Sequence, residues 1–227
     1  LIMPERKTIV SEIKEHLKNG EITEDDINRA VDNILKLTEN IAALPHPDAE
    51  FDRLSAHEAA ARCEEEAIVL LKNEDNILPI DTTKFRKIAV VGYFAEKPCI
   101  SADLRSSGGV TVAPESVEAP LEYIKKYANE EGAEVVYAPL YGELSGSLSF
   151  DPLIEIQRLA KECDMIIMFA GNHSFWEIEG EDRESIELPT HMIRLCEECA
   201  RFCKNTVVVT QTGAPYAPFI RAAEPKA

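Results

Sequence analysis

The first apolar pattern along the chain is helical. Ile9, Ile13 and Leu17 recur every fourth position, and mostly polar residues fill the spaces between them. This spacing places the three side chains on one face of a helix. Pro4 suits a first helical turn, because its missing N–H would have no intrahelical partner there. The pattern therefore predicts an amphipathic helix over residues 4–19.

A second helical pattern follows Gly20. Thr23 is a favourable N-cap residue, and the acidic residues after it suit the positive end of a helix. The apolar stripe of this helix consists of Ile27, Ala30, Val31, Ile34 and Leu37. Two prolines and a loss of periodicity then indicate a linker over residues 42–54. We expect residues 1–41 to form one part of the molecule and residues 55–227 another.

Beyond the linker, strand and helix patterns alternate. A helical stretch covers residues 56–71. Short apolar runs rich in β-branched residues predict buried strands at residues 87–95, 133–139, 164–171 and 205–213. Helix candidates lie between these strands at residues 116–129, 152–163 and 189–204. This alternation predicts an α/β fold, a mostly parallel sheet with helices on both faces.

An acidic stretch follows the third predicted strand. It reads WEIEGEDRESIELP, covers residues 176–189, and contains a single arginine. In an open parallel sheet, functional groups gather in the connections at the carboxyl ends of strands. The acidic stretch occupies such a position. On its residues alone it fits either a functional loop or an ordinary solvated turn.

Charge narrows the classes of partner. The chain has 227 residues, of which 45% are hydrophobic, enough to build a core. Asp and Glu total 41 against 24 for Lys and Arg, so the formal net charge is −17. The electric field of this negative charge repels phosphate backbones and anionic lipid surfaces. In addition, no apolar run approaches the ~20 residues that span a bilayer. We therefore expect neither a nucleic-acid nor a membrane partner.

The cysteines and glycines bear on cofactors. The chain has six cysteines and is too long to need disulfide staples, which predicts reduced thiols and a cytoplasmic location. Cys196, Cys199 and Cys203 share one helix face, a pattern more typical of core filling than of a zinc site. Only Gly92 follows the first predicted strand of the sheet, so no dinucleotide fingerprint or phosphate loop is present. We expect no metal and no cofactor.

Five stretches stand in a fixed order along the chain. They read AIVLLKNEDNILPI, KIAVVG, SSGGVTVAPESVEAPLEYI, EGEDR followed by IELP, and NTVVVTQTGAP. Together they resemble the carboxyl-terminal α/β sandwich domain of glycoside hydrolase family 3. The beginning of the chain, LIMP followed by two helices and a linker, resembles the last strand–helix unit of that family's (β/α)8 barrel. The resemblance covers nearly the whole sequence.

The resemblance implies a retaining glycosidase that acts on an oligosaccharide or β-glycoside. Members cleave terminal β-linked sugars with an aspartate nucleophile on the barrel and, in many of them, a glutamate acid/base on the sandwich domain. Retention requires two carboxyl groups only ~5 Å apart. The family pattern places the acid/base directly before a glycine, which identifies Glu179 before Gly180, with Glu177 as the reserve candidate.

The neighbours of Glu179 suit this role. Nearby carboxylates such as Glu177 and Asp182 are like charges, which raise the pKa of a carboxyl that must carry a proton. Gly180 allows the backbone to turn sharply behind it. We expect Arg183 to pair with Asp182 and fix the loop.

Two further features are candidates for sugar binding. Trp176 stands beside the acidic stretch, where it would either stack on a sugar face or serve as a packing residue. Arg105, Ser106 and Ser107 follow the first strand of the sheet and are expected to face the same cleft, although such segments are more often simple turns.

The sequence therefore predicts a fragment of a family 3 β-glycosidase, with the end of the barrel at residues 1–41 and a truncated sandwich at residues 55–227. No stretch resembles the nucleophile segment, so we expect the chain alone to be inactive and to need the missing barrel domain. Without that domain, the two helices in residues 1–41 are expected to fold back on the sandwich or to drive self-association. The alternative is a noncatalytic α/β module that binds carbohydrate or a partner.

Overall fold

The computed structural model describes residues 7–44, 52–97, 118–141, 151–172, 182–213, 215–217 and 225–227. The chain divides into two compact units, Leu1–Ala67 and Ile68–Ala227. In the described part of the chain, no helix reaches the length and apolarity that crossing a membrane demands.

The described residues of the first unit form three helices, α1 (Ile9–Lys18), α2 (Glu24–Ala42) and α3 (Arg53–Ala67). The predicted cap of α2 is confirmed. Asp26 N donates to Thr23 Oγ1 at 3.2 Å, and Thr23 N donates to Asp26 Oδ2 at 3.0 Å. This reciprocal pair satisfies two amides at the helix start. Within these three helices no residue is buried.

The helix predicted over residues 56–71 ends earlier than expected. α3 stops at Ala67, and the four residues after it, Ile68 to Leu71, are non-helical and 62–73% exposed. Ile68 and Val69 are β-branched and lose side-chain freedom in a helix, which weakens helical continuation there. The prediction was wrong for these four residues.

In the second unit, the part of the chain that the structure describes is built on a four-stranded parallel sheet. Its strands are β1 (Lys87–Val91), β2 (Glu134–Ala138), β3 (Met165–Gly171) and β4 (Thr206–Gln211), in the order β2-β1-β3-β4. All seven residues of β3 are buried, as expected for a central strand covered on both faces. The first predicted strand is shorter than its apolar run, because the chain leaves the sheet at Gly92 and residues 93–95 form a short 3-10 helix.

Each connection between strands has one helix among its described residues: α4 (Pro120–Glu130) from β1 to β2, α5 (Asp151–Glu162) from β2 to β3, and α6 (Thr190–Phe202) from β3 to β4. The first connection crosses the sheet in the opposite direction to the other two. Because parallel crossovers are right-handed, α4 covers one face and α5 and α6 cover the other. The predicted α/β class, with helices on both faces, is confirmed.

One carboxylate fixes the amino edge of the sheet. Asp164, just before β3, accepts hydrogen bonds at Oδ2 from Arg86 N at 2.8 Å and Lys87 N at 2.9 Å. Its own carbonyl accepts from Asn205 Nδ2 at 3.0 Å. These bonds tie together the starts of β1, β3 and β4.

The last three residues of the chain run beside β4. Lys226 N donates to Thr206 O at 2.9 Å, and Val208 N donates to Ala227 O at 2.7 Å. On its other side, Lys226 accepts at its carbonyl from Glu74 N at 2.8 Å. Residues 225–227 therefore cover the first half of the outer edge of β4.

Candidate functional site

The sheet has a topological switch point between β1 and β3. These strands are neighbours, yet the connections that follow them leave toward opposite edges of the sheet. Diverging connections open a crevice at the carboxyl ends of the two strands, where open α/β sheets bind ligands. Two connections begin there: residues 92–119 after β1, and residues 172–189 after β3. The second contains the acidic stretch.

Two glycines let the backbones approach closely at this end of the sheet. Gly92 has a φ of 101°, and a Cβ there would lie 2.2 Å from Phe169 O. A Cβ on Gly171, at the end of β3, would lie 2.3 Å from Gln211 O. Both positions exclude a side chain. The backbone therefore approaches closely between Gly92 and Phe169, and between Gly171 and Gln211.

Most of the predicted site residues lie outside the described part of the chain. These are Trp176, Glu177, Glu179 and Gly180 in the acidic stretch, and Arg105, Ser106 and Ser107 in the β1–α4 connection. The structure does describe both ends of the β3–α6 connection. At its start, Asn172 is 1% exposed and its N–H donates to Gln211 O at 3.2 Å.

The far end of the connection is held by the segment after β4. Arg183 Nη2 donates to Pro215 O at 3.1 Å, where the sequence predicted Asp182 as its partner. Ala217 N donates to Ile186 O at 2.8 Å. Tyr216 and Thr210 share a hydroxyl–hydroxyl hydrogen bond of 2.9 Å, which ties the same segment to β4. Asp182 itself is exposed.

Tyr141, which the sequence analysis missed, lies at the carboxyl end of β3. Its hydroxyl donates to Phe169 O at 3.1 Å, and the residue is 8% exposed. Burial raises the pKa of this phenol far above its ordinary value, so the hydroxyl remains protonated and stays a donor at every physiological pH.

His191, in the first turn of α6, contacts the same tyrosine. The rings of Tyr141 and His191 meet edge to face, with centroids 6.0 Å apart. Tyr141 also packs against Tyr93 at 6.3 Å and Phe94 at 6.4 Å. Burial lowers the pKa of His191, which favours its neutral form near pH 7. We refer to Tyr93, Phe94, Tyr141 and His191 as the aromatic cluster.

The three cysteines of the α6 face are core residues. Cys196, Cys199 and Cys203 are 1%, 0% and 6% exposed, and burial raises the pKa of each thiol. Raised pKa values favour the thiol over the thiolate that a metal would need. Among the described residues, no group of three or more His, Cys, Asp or Glu side chains is arranged to hold a metal ion.

A positional signal for the aromatic cluster was present in the sequence. Tyr141 lies three residues beyond the end of β2, and His191 lies two residues beyond Pro189, where α6 is about to begin. Both are polar aromatic residues at the carboxyl edge of the predicted sheet. Their mutual contact depends on a separation of 50 positions, which no local pattern reports.

Comparison with known families gives a match over most of the chain. Residues 68–226 match the family described as "Glycosyl hydrolase family 3 C-terminal domain". Thermostable beta-glucosidase B of Acetivibrio thermocellus is 32% identical over 203 residues, which is 89% of this chain and 26% of that protein. An exo-alpha-(1->6)-L-arabinopyranosidase of Bifidobacterium longum is 29% identical over 208 residues, 87% of this chain and 26% of its own length.

Solved structures of beta-glucosidases also match this chain. A beta-glucosidase of glycoside hydrolase family 3 from Bifidobacterium adolescentis matches 93% of this chain with a TM-score of 0.71 and 27% identity. A beta-glucosidase from Erythrobacter marinus matches 91% of this chain with a TM-score of 0.69 and 27% identity. This chain covers 30% and 31% of those two structures. It thus spans between a quarter and a third of the length of these relatives.

Proposed function

Because this chain belongs to glycosyl hydrolase family 3, with residues 68–226 as its C-terminal domain, we propose that it supplies the acid/base carboxyl group of a retaining β-glycosidase. The observation that carries the proposal is topological. The acidic stretch lies in the connection that leaves β3 at the switch point, where α/β sheets bring functional groups to a ligand.

Glu179 is the residue to which we assign this role, with Glu177 in reserve. Glu179 donates a proton to the glycosidic oxygen as the bond to the leaving group breaks. It then accepts a proton from the water that attacks the glycosyl-enzyme intermediate. A general acid must hold its proton near neutral pH, and the neighbouring carboxylates favour this because like charges raise the pKa of a carboxyl.

The second carboxylate, the nucleophile, comes from a barrel domain that this chain does not contain. Several large apolar side chains of α2 are exposed and suited to dock there, since Val31 is 48% exposed, Leu35 54% and Ile41 51%. Together with α1, this helix borders an apolar groove that includes Ile13 and Ile27. Burying this surface against the barrel would stabilise the whole protein by about 1.5–3 kcal/mol for each large side chain that becomes fully buried.

The names of the relatives support a proposal for the substrate class. Their names include beta-glucosidase, beta-xylosidase and exo-alpha-(1->6)-L-arabinopyranosidase. We propose that the whole protein removes a terminal pyranose of one of these types. Aryl β-D-glucosides, aryl β-D-xylosides and aryl α-L-arabinopyranosides, assayed on the intact protein encoded by the gene, will rank the three sugars.

Glu179→Ala in that intact protein tests the assignment. Loss of the general acid should lower kcat/KM by about 100-fold or more on an unactivated disaccharide, and far less on an aryl glycoside with a good leaving group. Added azide should restore turnover of the aryl glycoside and yield a glycosyl azide of retained configuration. Glu177→Ala is the matched control, because the reserve carboxyl lies only two positions away.

Equal losses on both substrates after Glu179→Ala, without azide rescue, would refute the assignment. The reverse pattern, with rescue only in Glu177→Ala, would transfer the role to Glu177.

Residues 1–227 expressed alone give a second test. We expect no hydrolysis of any of the three aryl glycosides, because the nucleophile is absent. Robust turnover by this chain that survives Glu179→Gln would overturn the proposal. An intact gene product of the same length that binds sugar without cleaving it would instead favour the noncatalytic module.

A further inference from the structure

We propose that Tyr141 is a positioning residue for the acidic stretch, because its side chain contacts both elements that flank the β3–α6 connection, strand β3 and helix α6. The hydroxyl holds the strand that leads into the connection, and the ring holds the helix that follows it. This inference rests on the proposed role of Glu179, and it concerns a residue outside the connection itself.

The first contact lies where β3 loses one neighbour. The pairing of β3 with β1 ends at Met168 opposite Val91, whereas its pairing with β4 continues to Gly171. The chain of β1 turns away at Gly92, whose N–H donates to Ala138 O at 3.0 Å. Phe169 O therefore lies beyond the β1 ladder, and the Tyr141 hydroxyl donates to it at 3.1 Å. That bond fixes the backbone three residues before the connection begins at Asn172.

The second contact lies at the other end of the connection. His191 is the second residue of α6, and its ring meets that of Tyr141 at 6.0 Å with an interplanar angle of 70°. Edge-to-face packing is a favoured and directional arrangement for aromatic rings. Leu188, just before the helix, is 2% exposed, so this end of the connection is anchored in the core.

Tyr141 is itself buried among other aromatic rings, which restrict the positions that its side chain can adopt. It is 8% exposed and packs against Tyr93 and Phe94, which follow β1. One side chain thus links the ends of β1, β3 and the start of α6. Arg183 and Ile186 provide further attachments, but these bind the connection to the segment after β4 and not to β3.

A brace of this kind matters for acid catalysis because proton transfer depends on distance. A general acid must lie within hydrogen-bond reach of the leaving-group oxygen, and a displacement of ~1 Å costs up to ~100-fold in rate. Freeing one end of the connection should therefore harm the reaction most when the leaving group needs a proton.

Tyr141→Phe in the intact protein tests the proposal, since it removes the hydroxyl and keeps the ring. We expect kcat/KM for an unactivated disaccharide to fall about tenfold, and kcat/KM for an activated aryl glycoside to fall less than about twofold. The alkaline limb of the pH profile on the disaccharide should also shift. Tyr127→Phe is the matched control, because that tyrosine is 58% exposed on α4; it should leave both values unchanged.

Equal losses on the two substrates, or no loss on either, would overturn the brace. If Tyr141→Phe does not fold, His191→Leu tests the second contact, and it should produce the same split between substrates. Its absence in a folded His191→Leu protein would again overturn the proposal.

A parallel Glu179→Gln variant separates the two hypotheses. A split between substrates in Glu179→Gln but not in Tyr141→Phe would refute the brace alone. No split in Glu179→Gln would refute the proposed function on which the brace rests.

Discussion

Helices α2 and α6 are both amphipathic, and they differ in what covers their apolar faces. In α6, Met192 and Leu195 are 0% exposed against the sheet. In α2, Val31 and Leu35 are 48% and 54% exposed, and no residue of the helix is buried. The same periodic pattern therefore gives two outcomes. Periodicity predicts that a helix forms and which face is apolar, whereas burial depends on a surface elsewhere in the molecule.

The largest expected effect is a difference in stability between variants of the two units, one with a truncated core side chain and one with a truncated exposed side chain. Ile166→Ala removes a 0% exposed side chain from β3 and should destabilise the sandwich unit by about 3–4 kcal/mol, because it loses buried contacts and leaves a cavity. Leu35→Ala, on α2, should change stability by less than about 0.5 kcal/mol. Urea unfolding followed by circular dichroism measures both. A similar cost for the two variants would mean that α2 is covered in solution.

The next effect probes the amino edge of the sheet. Asp164→Ala leaves the amides of Arg86 and Lys87 without their carboxylate acceptor and should cost about 2 kcal/mol. Asp164→Asn keeps one acceptor oxygen and should cost less. Asp182→Ala, at an exposed position, is the control. If all three variants unfold at the same urea concentration, these bonds do not stabilise the fold.

A third measurement addresses the exposed apolar residues of α2 directly. We expect the 25.3 kDa chain to self-associate at high concentration, because exposed apolar faces pair when no other partner is present. Leu35→Lys should weaken association by about tenfold or more, since one large apolar contact is lost. Light scattering after size exclusion reports the mass. A monomer at all concentrations would contradict this expectation.

The smallest effect concerns the turn between α1 and α2. A 2.5 Å hydrogen bond with Glu21 raises the pKa of His16 above 6.5, and the same bond lowers the pKa of Glu21 below 4.5. The histidine contribution is complete below pH 6.5 and is lost as pH rises through the raised value. The glutamate contribution is complete above pH 4.5 and is lost as pH falls through the lowered value.

Both contributions to this turn are therefore complete between pH 4.5 and 6.5. An NMR titration should give His16 a pKa above that of the same histidine in Glu21→Gln. The helical signal of the wild type should decline slightly above this range, and that decline should be absent in His16→Gln. Identical titrations in wild type and Glu21→Gln would show that the pair does not form.

Much of the sandwich could be predicted from the sequence because its signals are local. The residues of β3 form an unbroken apolar run, so their burial on both faces followed from composition alone. The start of α2 was equally accessible, since Thr23 and Asp26 are three positions apart and cap one another. In both cases the signal is local: an unbroken apolar run in β3, and a pair of capping residues three positions apart in α2.

Other features could not be predicted, because they depend on contacts distant in sequence. The run from Lys87 to Ala95 gave no sign that Gly92 would meet the carbonyl of Phe169 and end the strand. Tyr141 and His191 are likewise joined only through the folded sheet. For Glu179, its place in the chain after β3 and the family pattern support the proposed role, and the substrate kinetics described above test it.

The short segment beside β4 also has a consequence for how this chain behaves among copies of itself. An uncovered sheet edge presents backbone donors and acceptors that template the addition of strands from other molecules, and this is a common route to aggregation. Lys226 and Ala227 occupy part of that edge by bonding to Thr206 and Val208. The Nζ of Lys226 also lies 2.8 Å from Asp75 Oδ2 and helps to hold the segment in place. Lys226 and Ala227 thereby leave fewer backbone groups in the first half of β4 open to pairing with a strand of another molecule.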